Sequence, residues 1–529
     1  MLVMSPQRRV PWRSPRASSR YAVSWWNEDG PTKRLPIASS TGRTATVRAP
    51  SASPRSYVSE WLTGKRGISA PYAHRLEGVL GIPADQFIDR RSARARELND
   101  MKRRDFLRVA TSAAAASTLG SLPAGLQDGL GTLWGAEHAW RGTQVGSIAD
   151  RGVDWNLLLP GGQSFDGSVV MTQLHAITSS TQDHAAIEIG DAARLTAFLR
   201  VPHRGMILAA QEAEEGSRFL LLDARQARRQ LLRRPSRRPV LMIPRAFELD
   251  DLTFGMLWAL ANLDDALAAD DLALAEEIRG LSAYERLTSS AVSREAVGDL
   301  TTVSQMWLGS NFCARHILSS LDGFRDLPVF WTREQRGEEA STWLLFAHKY
   351  DYLRATSQRF AGSAEGLMRA FCVPEDAVRT SPRFERIVLL LAVALMESLG
   401  IEARVCVEPE YANVDGFVLA PGQAVVANWV RAEGVWHVDN TSRRTLLHDF
   451  GEAASHARER SVIDAPTAAG RLAAFARYLE LDLDWLRRRC WDLSEYGCDW
   501  LAAPRNHLMS TAGLDEACRY VGQLPAETA

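Results

Sequence analysis

The run Ile387–Met396 is ten consecutive apolar residues, closed by Glu397. It falls well short of the ~18 uncharged apolar residues a membrane span requires. It has no polar stripe to turn toward water, so it reads as a helix buried on every side. Enclosing it takes a large globular body. The 529 residues suffice for that, allowing two to four domains of ~100–200 residues each. With 46% hydrophobic and 24% charged residues, a mostly disordered chain is excluded.

Composition divides the chain into an ordered sequence of regions. Residues 1–50 are rich in Ser, Pro, Arg and Thr and read as a disordered basic tail. Order begins near Ser53 in a short helical segment, 51–97, followed by a linker, 98–135. Residues 136–245 form a β-containing region with strand-like runs at Trp155–Leu159, Ala186–Ile189, Thr196–Leu199, Phe219–Leu222 and Val240–Ile243. Gly161-Gly162 and the Arg-rich stretch Arg225–Arg238 punctuate them, the latter expected as an exposed loop because of Pro235 and Pro239. Residues 246–360 turn helical, 361–460 set the long apolar helix among strands, and 461–529 are helical again with a break at Gly497. The expected class is α+β, predominantly α.

Charge is distributed unevenly. The formal net charge is −1, from 62 Lys+Arg and 63 Asp+Glu. Met1–Arg108 holds 21 basic and 9 acidic residues, which leaves 41 basic and 54 acidic on the remainder. A cationic head on an anionic body points to nucleic acid as a partner. The six cysteines, at 313, 372, 406, 490, 498 and 518, form no CxxC pair, which suits a reducing cytoplasm.

Ser53-Pro54-Arg55-Ser56-Tyr57-Val58-Ser59-Glu60-Trp61-Leu62-Thr63-Gly64-Lys65-Arg66 has the punctuation of a short helix. Ser53 caps it, Pro54 fits its first turn, and Val58, Trp61 and Leu62 share one face. Gly64 suits the left-handed position at its end. A second helix runs from Ser69 to Gly81, and Ile82-Pro83 opens a third turn. Together these residues resemble the second half of a Cro/repressor-type (XRE) helix-turn-helix domain. The resemblance rests on Ser59, Trp61, Gly64, Lys65 and Arg66, then on Leu80-Gly81-Ile82-Pro83. It implies that Arg55, Ser56, Tyr57, Ser59 and Glu60 face the DNA groove while Thr63, Lys65 and Arg66 approach phosphates. It also implies double-stranded DNA as the partner, bound by a homodimer on a pseudo-palindromic site. The family carries two further helices upstream, and residues 1–50 show no version of them. Lys102-Arg103-Arg104-Asp105-Phe106-Leu107-Arg108, with the Ala-rich run behind it, resembles a twin-arginine export signal placed internally. Its expected role is a linker, the alternative being an exported protein starting at Met101.

The body carries a second resemblance. Phe384–Leu399 runs into Gly400-Ile401-Glu402-Ala403-Arg404, and Ala427-Asn428-Trp429 is followed by Trp436-His437-Val438-Asp439-Asn440-Thr441. This is similar to the core of a transglutaminase-like fold, whose chemistry needs a Cys, a His and a carboxylate. Here Glu385 stands at the Cys position and Ala427 at the His position, and only Asp439 remains. The resemblance implies a transglutaminase-like α/β core without catalytic residues, serving as a sensing or dimerisation body. A hydrolase using Cys313, Cys372 or Cys406 is the alternative.

Other constellations read as structural. Cys313 and His316, at i and i+3, suggest a packed thiol and a satisfied imidazole rather than metal ligands. His348, Asp351, Glu338 and Glu339 fit a solvated helix face, and Trp331–Glu339 a surface helix start, the alternative being a carboxylate or phosphate contact on Arg333 and Arg336. The expectation is therefore a cytoplasmic DNA-binding regulator of transcription without catalytic residues, metal, cofactor or membrane, and with a small-molecule or protein effector.

Overall fold

A computed structural model describes residues 144–147 and 154–525, apart from 191, 200–203, 214–215, 234–238 and 362–365. The segments 1–50, 51–97 and 98–135, with Arg55, Ser56, Tyr57, Ser59, Glu60, Thr63, Lys65 and Arg66, lie outside the described residues. Within them the class is α+β, with 51% helix and 23% strand over 156–525.

The first part is sheet-rich. Its strands are β1 (Gln144–Ser147), β2 (Asp154–Leu159), β3 (Ser168–Ala176), β4 (Ser179–Ser180) and β5 (His184–Glu188). Helix α1 (Ala192–Phe198) follows, then β6 (Gly205–Ala213), β7 (Gly216–Asp223), α2 (Ala224–Arg233) and β8 (Val240–Pro244). One sheet has the order β1-β2-β3-β6-β7 and another β4-β5-β8. Two expectations fail here. Thr196–Leu199, expected as a strand, belongs to the end of α1 and its following turn. Arg225–Arg233, expected as loop, is helical. Its buried residues are Gln226 and Ala227, and packing on β6, β7 and β8 decides the matter.

The second part surrounds the apolar helix. It contains α3 (Asp251–Ala269), α4 (Asp271–Leu281), β9 (Ser289–Ser293), α5 (Thr302–Ser320), β10 (Val329–Thr332), α6 (Gly337–Leu345) and α7 (Ala347–Arg359). Then come β11 (Leu367–Cys372), α8 (Glu375–Thr380), α9 (Arg383–Ser398), β12 (Ile401–Cys406), β13 (Phe417–Ala420), β14 (Gln423–Asn428) and β15 (Gly434–Thr441). Helices α10 (Arg444–Glu459), α11 (Ala468–Tyr478), α12 (Leu483–Ser494), α13 (Cys498–Leu501) and α14 (Ala512–Gly522) follow. A seven-stranded sheet runs β12-β11-β10-β13-β14-β15-β9. Its β10, β11 and β12 are parallel and the other pairs antiparallel.

Alternation along the strands fills two layers. Phe330, Phe371, Ala403, Val405, Val418 and Val425 join the main core. Trp331, Ala370, Cys406, Phe417 and Val426 face the other way, where α10 brings Phe450 over Phe417 at 4.4 Å between ring centroids. Helix α9 is buried from Ile387 through Glu397 and packs on α3, α6, α11, α14 and β12. Its closing carboxylate, Glu397, receives both arms of Arg471 at 2.8 and 2.6 Å, which lets a charge end a buried run. The expected break at Gly497 is present, at φ 85. Among the described residues no helix is long and apolar enough to cross a membrane.

Candidate functional site

Helix α5 crosses β14 and β15, and α7 packs beside it. Between these helices and the sheet lies a cavity of about 40 Å³, measured as the space open to the centre of a water molecule. At ~10–15 Å³ per water it holds about three. Ser310, Cys313, Trp343, Lys349, Arg369 and Trp429 are among the residues lining it.

Two cations sit in this buried place. Lys349, in the first turn of α7, has its ammonium 3.5 Å from the Trp343 ring centroid and 3.8 Å from that of Trp429. Glu334 Oε1, at 3.2 Å, is its ion-pair partner, and both side chains are 2% exposed. Burial lowers the Lys349 pKa to about 8 despite the Glu334 charge, with Arg369 adding to the depression. Arg369 comes from the centre of β11. Its guanidinium lies 4.6 Å from the Phe330 centroid and 5.0 Å from that of Trp343. It donates to the Tyr352 hydroxyl at 3.3 Å.

The polar segment Trp331–Glu339 connects β10 to α6, and most of it is buried, against the expectation of a surface helix start. Each charge has a partner distant in sequence. Glu334 holds Lys349, and Gln335 accepts from Arg431 at 2.6 Å. Glu339 pairs with Arg431 at 3.2 Å and receives the Gln335 N–H at 2.7 Å. Arg333 lies 3.6 Å from Asp415, and Arg336 donates to Thr380 at 2.9 Å. Arg333 and Arg336, whose alternative reading is an anion contact, are thus engaged within the chain. Arg431 itself adopts φ 50, a left-handed conformation uncommon for a non-glycine residue.

Nor do Glu338, Glu339, His348 and Asp351 form a solvated face. Asp351 is exposed, but Glu338 and Glu339 are buried, and His348 bonds Ser310 at 2.9 Å. Burial drives the His348 pKa well below its ordinary value, helped by Lys349 and Arg315. Glu338 receives the Ser164 N–H at 2.7 Å, and its carboxylate occupies the space a Cβ would need at Gly162. Beside it stands Glu385, in the first turn of α9, bonded by the N–H groups of Gly337 and Glu338. Burial and then the Glu338 charge raise the Glu385 pKa to about 7.

Comparison with protein-family models, curated proteins and solved structures finds no match to this chain. The site is therefore read from its own geometry.

All six thiols are free and buried. Cys313 sits in the middle of α5, where its S–H donates to the Asn428 carbonyl oxygen at 3.5 Å and burial pushes its pKa up. A nucleophilic thiol needs the opposite environment. Ala427 of β14 lines the cavity with Cys313 and accepts no proton. Glu385 meets α6, and Asp439 lies on β15 opposite Val426 of β14 and Ser289 of β9. His316, as expected, is satisfied, by Asn440 at 3.0 Å. Among the described residues no group of three His, Cys, Asp or Glu is arranged to hold a metal.

Sequence reasoning misses the two cavity cations, Lys349 and Arg369. The available signal is a lone Lys in the aromatic and apolar setting Trp343-Leu-Leu-Phe-Ala-His-Lys349-Tyr, and an Arg within the otherwise apolar Leu367–Cys372.

Proposed function

We propose that this protein is a DNA-binding regulator of transcription whose acidic body serves as a sensing or dimerisation module on a transglutaminase-like, non-catalytic core. The observation that carries the proposal is the spacing Ser59-x-Trp61-x-x-Gly64-Lys65-Arg66 followed by Leu80-Gly81-Ile82-Pro83, within a segment of 21 basic and 9 acidic residues. The body supports it through chemistry. Its Cys313 is held neutral against a backbone carbonyl, and Ala427 stands where a thiol mechanism would require a base. A cytoplasmic location and a homodimer belong to the same proposal.

The test uses the full chain and a fluorescent random-sequence duplex. Binding is expected at about 50 mM salt, weakening steeply as salt rises. The double variant Lys65→Glu/Arg66→Glu should reduce the salt slope by about two, one for each phosphate left unneutralised. Absence of binding by the wild-type chain at about 50 mM salt rules the proposal out, because attraction to phosphates is strongest there.

A further inference from the structure

Arg369 is an unusual group to find buried. It is 2% exposed, and a guanidinium keeps its proton in proteins. Among the described residues no carboxylate pairs with it. Its Nε has no hydrogen-bond partner, and neither has the indole N–H of Trp343 beside it. Both side chains line the cavity between α5, α7 and the sheet.

The charges around that cavity do not cancel. Arg369 and Lys349 are cations, and among the described residues Glu334 is the one carboxylate bonded to either of them. Cys313 and Tyr352 are held neutral by burial, as is His348 on the neighbouring side of Ser310. A buried site with one surplus positive charge and two unused N–H donors lacks an anion. The donors specify its shape. Arg369 donates from Nη2 to Tyr352 and leaves Nε open, so an oxygen acceptor at Nε lies alongside the Tyr352 hydroxyl, whose proton is still free to be given. A guanidinium edge matches the two oxygens of a planar carboxylate. Room for about three waters limits the guest to a few heavy atoms.

We propose that this cavity binds one small monocarboxylate, of formate to acetate size, on Arg369, with Lys349 supplying the second positive charge. It gives the sensing role proposed above a ligand class and rests on it for biological meaning. Its test needs no DNA, so either proposal can fail alone.

The experiment is calorimetric titration and thermal melting of the full chain with sodium formate and sodium acetate. Sodium gluconate, too large for the cavity, and sodium chloride serve at matched ionic strength. Formate or acetate should saturate one site per chain and raise the melting temperature, with gluconate and chloride without effect. Arg369→Gln should weaken binding at least tenfold. Ala314→Leu keeps both cations and fills the cavity from α5, so it should abolish binding while the chain still melts cooperatively. An equal response to all four salts, no response to any, a response to chloride alone, or undiminished binding by Ala314→Leu overturns the proposal.

Discussion

Glu385 offers a measurement that isolates one carboxyl. It is 7% exposed in the first turn of α9, faces Glu338, and its pKa is raised from 4.5 to about 7. A carboxyl with a raised folded-state value favours folding while protonated. Its contribution is complete below pH 4.5 and is lost as pH rises to about 7. At 1.36 kcal/mol per unit, the ionised group costs about 3 kcal/mol above neutrality. Glu385→Gln keeps an oxygen to accept the Gly337 and Glu338 N–H groups and removes the charge. Urea denaturation of wild type and variant should therefore diverge with pH. The variant should be more stable by about 2–3 kcal/mol at pH 8, with the difference closing by pH 5. A difference that is the same at both values would refute the buried-charge argument, and a less stable variant at pH 8 would show that the ionised form is held by partners.

Lys349→Met should cost about 3–5 kcal/mol by chemical denaturation, because it strands Glu334 without its counter-charge. Adding Glu334→Gln should recover part of that loss; no recovery would mean packing, not charge, sets the cost. Gly309→Ala should destabilise by about 1–3 kcal/mol, since a Cβ there would strike the Val435 carbonyl oxygen and come 3.0 Å from Trp429 Cβ. An unchanged melting temperature would show that α5 can move off β15. A thiol reagent should titrate no cysteine rapidly in the native chain and all six after unfolding. One fast-reacting thiol would revive a cysteine-based hydrolase.

Legibility in the sequence followed the reach of each interaction. The Ile387–Met396 helix declares itself because solvation alone decides its fate, and Gly497 because backbone geometry does. Trp155–Leu159, Phe219–Leu222 and Val240–Ile243 each fall within a strand, their β-formers agreeing with the final sheet. Ser168–Ala176 and Gly205–Ala213 pass unrecognised although they pair in the centre of the first sheet. Ser168, Thr172 and Gln173 are buried polar side chains of β3, and Ser168 donates to Asp265 of α3. Polarity in that strand is a sign of tertiary contact, and local pattern reads it as exposure. Trp331–Glu339 fails to declare itself for the same reason. Its partners Lys349, Thr380, Asp415 and Arg431 lie 15 to 96 positions away, so composition suggests a surface where the fold has built an interior.

The stretch from Ala503 to Gly522 holds earlier parts of the chain together. Arg204 just before β6 and Arg505 after α13 both grip Asp264 of α3, at 2.6 and 2.9 Å. The Ala503 N–H reaches Asp223 at 3.0 Å, and the Ser510 N–H reaches the Leu345 carbonyl at 2.9 Å. Helix α14 then closes over α9 and α12. A nascent chain without residues 503–522 therefore leaves Asp264 half-compensated and one side of the apolar helix bare. The body can seal only once residues 503–522 have been made, and a product stopped short of them would present to the proteolytic machinery the greasy surface that α14 hides.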